Sequence, residues 1–133
     1  MEFASIQILE ILAGTFVGMI LGAFWYSPVA FGPAWMACIG KTSETIGSQT
    51  LPMIGSVVAS FLTAIGVSVL SASLGIASLP QALTLGFSLG FLIVFPALLS
   101  DNLFCGWGNK LLLIQTGYRV LAIILMSVAI FYV

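Results

Sequence analysis

The sequence predicts an all-α integral membrane protein, a four-helix bundle with a short interfacial helix in its first loop. Three observations carry this. The chain of 133 residues is 61% hydrophobic and 5% charged, whereas a soluble domain carries roughly a quarter charged residues. Four apolar runs each approach the ~20 residues that a helix needs to cross a ~30 Å hydrocarbon core. Small residues recur at every fourth position in three of those runs, the spacing at which membrane helices come close. One transmembrane domain, 1–133, is expected, with spans at about 6–26, 51–74, 79–100 and 111–132.

The ends of the runs carry local signals. The first span closes on "FWYSPVAFGPAWM" (24–36), two prolines and a crowd of aromatics with no charge. Pro28 turns Ser27 away from helical geometry, and Gly32-Pro33 can start a short helix, 33–39, lying in the interface. Thr50 is placed to cap the second helix, with Pro52 in its first turn, and Gly75 to close it. Ser78 and Pro80 open the third, Gly106 ends it, and Asn109 is placed to cap the fourth. Pro96 removes one backbone hydrogen bond and should kink the third span, leaving a carbonyl near Leu92 in need of a partner. With four spans both termini lie on one side. Loops 27–49 and 101–110 lie on the other and hold Lys41 and Lys110, so the positive-inside rule places them in the cytoplasm and the termini outside. Glu2 and Glu10 stand where a signal peptide would have a basic region, which argues against a cleavable leader.

Composition also excludes function classes. A net charge of −1 offers no field for nucleic acid. The absence of histidine removes the usual proton switch and the commonest metal and haem ligand. Cys38 and Cys105 form no C-x-x-C pair; two buried small apolar residues are expected, with a disulfide the alternative if their side is oxidising. No metal cluster, nucleophile with a base or phosphate loop is present to suggest an enzyme, and no cofactor is expected.

The small residues are Gly14, Gly18 and Gly22 in the first span, Ser56, Ser60, Ala64, Ser68 and Ala72 in the second, and Ala82, Gly86 and Gly90 in the third. Most should pack helices within one bundle, and at least one stripe has the character of a face for another chain. Ionisable groups within spans point to function by default. Arg119 lies ~12 Å into the fourth span, one turn beyond Gln115. Asp101 and Asn102 end the third span on the same side. The expectation is a polar cluster of Asp101, Asn102, Gln115, Tyr118 and Arg119, with Asp101 and Arg119 paired, beneath an aromatic lid of Trp25, Tyr26 and Trp35. It reads either as an interhelical tie or as a ligand or ion site. Glu10 borders the glycine stripe near the opposite end, where it either carries a proton or reaches water.

"LGAFWYSPVAFGPAWM" (21–36) resembles the hallmark of the bacterial membrane family catalogued as domain of unknown function 1761. There a first helix ends in Gly-x-x-Trp-Tyr-Ser-Pro, followed by Phe-Gly and a Trp-Met pair. Gly22, Trp25, Tyr26, Ser27, Pro28, Phe31, Gly32, Trp35 and Met36 fit it. The terminal "LLLIQTGYRVLAIILMSVAI" is similar to that family's last helix, with Gly117-Tyr118 in place and Gln115-Thr116 where Asn-Ala is frequent. The resemblance covers nearly the whole chain. It implies four membrane helices in a bacterial cytoplasmic membrane and no particular activity.

These readings lead to a structural or accessory helix-packing protein, acting as a homo-oligomer or as a small subunit of a larger membrane complex. Its partners are the lipid bilayer and other membrane chains. The alternative is a small four-helix transporter or channel for an ion or small molecule. Glu10 loosely resembles the first-helix carboxylate of the small multidrug resistance family, whose short connections this chain's long aromatic loop does not share.

Overall fold

The computed structural model describes Met1 and residues 3–133; Glu2, and with it part of the acidic start, lies outside the described residues. The chain forms α1 (Ile8–Trp25), α2 (Gly32–Cys38), α3 (Thr50–Ser73), α4 (Leu79–Leu89), a π turn (Gly90–Val94), α5 (Phe95–Cys105) and α6 (Asn109–Tyr132), preceded by a 3-10 turn at Phe3–Ser5. Every regular element among the described residues is helical. α4, the π turn and α5 run on as one helix, Leu79–Cys105, so the structure has four helices long and apolar enough to cross a membrane. α2 is the short helix of the first loop.

The helix ends follow local chemistry. Ser78 caps α4, its Oγ accepting from Gln81 N at 3.4 Å, while Gln81 Oε1 accepts from Ala77 N at 2.8 Å. This is a reciprocal arrangement like a capping box. Gly75 and Gly106 close α3 and α5 with φ of 62° and 68°, where a Cβ would be strained. Two expected caps shift by one residue. Thr50 is the first residue of α3 rather than its cap, because Ser48 Oγ already accepts from Thr50 N at 3.3 Å. Asn109 is the first residue of α6, because the reversal after α5 needs a second left-handed residue, and Gly108 supplies it at φ 92°. The third span runs to Cys105, within one residue of the longer of its two expected ends, about 100 or Phe104. Asn102 O accepts from Gly106 N at 2.9 Å and holds the last turn together. Pro96 is met by widening the helix: Phe95 N–H bonds Gly90 O in the π turn just before the proline ring.

α6 is the core helix. Half of its span is buried, against 17%, 28% and 22% for the first three spans. It packs most extensively on α1 and α4 and also on α3, whereas α3 and α4 barely meet. Lipid tails are as apolar as leucine, so contact between membrane helices rests on close fit. The small residues of α1 and α4 provide that fit. A Cβ on Gly86 would stand 2.6 Å from Ile124 Cα, and one on Gly90 3.0 Å from Val120 Cα. One turn further along, Ser127 Oγ donates to Ala82 O at 2.7 Å. On α1, Gly14 stands against Ala64, Gly18 against Ser60 and the Met126 methyl, and Gly22 against the Tyr118 ring. Of the second stripe, Ser60, Ala64 and Ser68 are buried, while Ser56 and Ala72 are exposed.

Some hydroxyls in the spans are spent on their own helix. Thr15, Thr63 and Thr84 each donate to the carbonyl four residues back, at 2.7, 2.8 and 2.8 Å. These three thereby avoid facing hydrocarbon without a partner.

The contrast between glycines is testable. Gly86→Ala puts a methyl against backbone that cannot move aside, and should destabilise the chain by about 1–3 kcal/mol. Gly66→Ala meets nothing within 4 Å, and should be neutral or gain up to about 1 kcal/mol of helix propensity. Thermal unfolding in detergent micelles measures both.

Candidate functional site at the loop end of the bundle

The chain reverses after α1 without a single charge, through its own backbone. Phe31 N donates to Trp25 O at 2.8 Å, and Ala30 N and Gly32 N both donate to Ser27 O at 3.1 Å. Ser27 Oγ donates to Phe24 O at 2.6 Å, covering a carbonyl at the end of α1. Pro28 has no N–H to lose at this corner. Gly32 is buried where a Cβ would run into the carbonyl oxygens of Tyr26 and Ser27, so no other residue fits. Trp35 N then donates to Phe31 O at 2.8 Å and starts α2.

This corner is pinned to α6. Trp25 Nε1 donates to Ile114 O at 2.9 Å. Its six-membered ring lies over Gly117, where a Cβ would come 2.9 Å from Trp25 Cζ2. The other face of the corner is closed by Phe31, whose ring centroid is 4.6 Å from that of Trp25. Tyr26 stands edge-on to both Trp35 and Tyr118, at 5.4 and 5.5 Å. Tyr118 is buried, and its hydroxyl donates to Gly18 O at 3.0 Å. The three lid residues Trp25, Tyr26 and Trp35 are therefore half-buried braces between α1, α2 and α6.

The expected polar cluster is only partly assembled. Asn102 is buried and donates from Nδ2 to Gly108 O at 3.2 Å, fastening the turn into α6. Gln115 lines a shallow hollow with Cys38, Ile39, Trp107 and Leu111, under α2. Tyr118 sits beneath the lid. Asp101 and Arg119 are both exposed and make no ion pair, which corrects the expected tie. Depth is the reason. Asp101 lies four residues from the end of α5, about 6 Å, while Arg119 lies ten residues into α6, about 15 Å. The Arg119 guanidinium carbon instead stands 5.3 Å from the Tyr118 ring centroid. The cysteines also differ from expectation: both thiols are free, Cys38 half-buried and Cys105 exposed, because each falls at a helix end outside the packed centre.

A second feature lies beside this corner. Because α3 and α4 barely meet, the face of α6 between them is left as a partly open groove of about 140 Å³. Ser60 and Thr63 line it from α3, Val94 from the π turn, and Arg119, Ala122 and Met126 from α6. At the far end of α1, Glu10 is half-buried and accepts from Ser68 Oγ at 2.5 Å. Thr116 is buried with its hydroxyl unpartnered. Among the described residues no group of three or more His, Cys, Asp or Glu is placed to hold a metal ion.

The family described as "Protein of unknown function (DUF1761)" matches residues 9–131. The chain belongs to this family. The matched stretch takes in the four spans, apart from Ile8 and Tyr132 at their outer ends, and the whole aromatic corner. Neither the curated proteins nor the solved structures include a match. Several residues of the site escape a reading of this one sequence. The Ile114 carbonyl, Ser127 and Thr63 carry no local signal, since each acquires its role from a helix distant in the chain, whereas Ser60 carried one as part of the small-residue stripe. Gly117 carried one, as part of the Gly-Tyr pair.

Tyr118→Phe removes one hydrogen bond and keeps the ring, and should cost about 1 kcal/mol, read as a lowered unfolding midpoint. Trp25→Phe removes its hydrogen bond and also the part of the indole that lies over Gly117, and should cost more, about 2–3 kcal/mol. Asp101→Asn, which breaks no pair, should stay within about 0.5 kcal/mol of the parent protein in the same assay.

Proposed function

We propose that this protein is a structural or accessory membrane protein that works by packing helices, as a homo-oligomer or as a small subunit of a larger membrane complex, and is not an enzyme. It resides in the bacterial cytoplasmic membrane with its termini outside and its aromatic corner on the cytoplasmic side.

The observation that carries this reading is the pair Gly55 and Gly66 on α3. Both are exposed, and a Cβ at either would meet nothing within 4 Å. Eleven residues apart, about three turns, they share one face of the helix. A glycine inside a helix costs about 1 kcal/mol relative to alanine, and no contact within the chain offsets that cost. A face made small in this way suits close approach by another helix. The polar side chains of the aromatic corner support the same reading, because Trp25 and Tyr118 spend their donors on the backbone of neighbouring helices.

A second reading, a small transporter or channel, draws on the half-buried Glu10 and its hydrogen bond to Ser68. It asks for a path through the bundle, where Val67, Ser68, Val69 and Ser127 are packed to under 2% exposure.

Native mass spectrometry from nanodiscs tests the proposal. The parent chain should appear self-paired or with a partner, and the double variant Gly55→Leu, Gly66→Leu should shift to the single chain with helix content unchanged. A parent that is always single, or a variant that assembles as before, counts against it.

A further inference from the structure

Arg119 has no anion beside it among the described residues. It stands on a membrane-spanning helix, exposed, about 15 Å from the start of α6. Among the described residues its guanidinium makes no hydrogen bond and no ion pair; its sole contact of that kind is the Tyr118 ring. Of the described carboxylates, Glu10 is engaged by Ser68 near the opposite end, and Glu44 and Asp101 are exposed elsewhere. A cation left in hydrocarbon is costly and finds an anion or the interface. The Cα–Cβ bond of a helical residue tilts toward the helix N-terminus. Arg119 therefore leans toward the loop-side surface, the direction in which a long side chain snorkels to the headgroups.

Immediately deeper lies the groove. Ala122, Ile123 and Met126 follow Arg119 on the same face of α6 and make its floor. Thr63 and Val94 stand on its two sides. A void of about 140 Å³ is the size that accepts a benzene-sized piece of hydrocarbon. A cation on the headgroup side, with an apolar slot directly below it, matches one molecule end to end: an anionic lipid of the same leaflet.

We infer that the groove between α3 and the π turn binds an anionic membrane lipid, its phosphate held by Arg119 and part of one acyl chain lying along Ala122, Ile123 and Met126. The guanidinium fork fits phosphate oxygens in a bidentate way that a lone ammonium does not. Zwitterionic lipids bring a second cation toward Arg119 and are disfavoured. The site rests on Arg119 and the α6 floor rather than on Gly55 and Gly66, although its Thr63 wall lies one turn from Gly66.

The test uses the full chain, delipidated in a neutral detergent. Phosphatidylglycerol, phosphatidylcholine and inorganic phosphate are added in turn, with bound lipid counted by native mass spectrometry and thermal stabilisation followed in parallel. Phosphatidylglycerol should bind about tenfold tighter than phosphatidylcholine, since both offer a phosphate and only the second brings another cation beside Arg119. Arg119→Gln should abolish that preference, and Arg119→Lys should restore part of it. Thr63→Phe, which fills the groove and keeps the cation, should weaken retention of both lipids at unchanged helix content. Equal binding of the two lipids by the parent protein overturns the inference without any variant. So does inorganic phosphate stabilising as well as phosphatidylglycerol, which would mark a simple anion site, and so does full retention by Thr63→Phe.

Discussion

The fold depends on large side chains of α6 seated against small residues of its neighbours. Tyr118 faces Gly22, Met126 faces Gly18, and the backbone of α6 at Val120 and Ile124 lies on Gly90 and Gly86. In water, burial of apolar surface would draw these helices together. In a bilayer that force is absent, and dispersion across short distances takes its place. Short distances require that one side of each contact lack a side chain. The bundle therefore assigns bulk to α6 and smallness to α1 and α4. This makes α6 the most buried span and leaves α3 and α4 apart. The groove over α6 follows from the same division.

The aromatic corner answers a different problem, that of leaving a helix at the membrane surface without charge. Three carbonyls at and just past the end of α1 find partners nearby: Trp25 O takes Phe31 N, Ser27 O takes two donors, and Phe24 O takes the Ser27 hydroxyl. Indole and phenol rings carry one polar atom on a large apolar body, which suits an interface. Here those polar atoms point inward, to Ile114 O and Gly18 O. The corner thus acts as a clasp between the first and last helices, some ninety residues apart in the chain. Gly32 and Gly117 are small for the same reason, each making room for part of the clasp.

The few charges are disposed unevenly. Glu10 is bonded across to α3, Asp101 and Glu44 are exposed, and among the described residues no acceptor holds Arg119. Buried ion pairs add little net stability once desolvation is counted, so a bundle fitted as closely as this one does not need an Asp101–Arg119 tie. Asn102, the neighbour of Asp101, performs the fastening through the Gly108 carbonyl with no charge to desolvate. Asp101 and Arg119 are then left for contacts outside the chain.

Four spans, their order, the short helix of the first loop and most of the turns are legible in the sequence, because each rests on local physics. About 20 apolar residues make a span, Ser78 with Gln81 makes a helix start, and Gly75 and Gly106 make helix ends. The caps at Thr50 and Asn109 were displaced by one residue because the Ser48 hydroxyl took the Thr50 N–H and Gly108 supplied the second positive-φ residue of the reversal, both equally local. The small-residue stripes are legible as contact faces, though not the helix each one meets. Which span lies at the centre, which carbonyl Trp25 reaches, whether Asp101 meets Arg119, and the groove beneath Arg119 were decided by tertiary structure. Each depends on the relative depth and rotation of helices remote in the chain. One turn of offset, about 5.4 Å, is enough to separate two side chains that appear matched when their positions are counted from the nearest helix end.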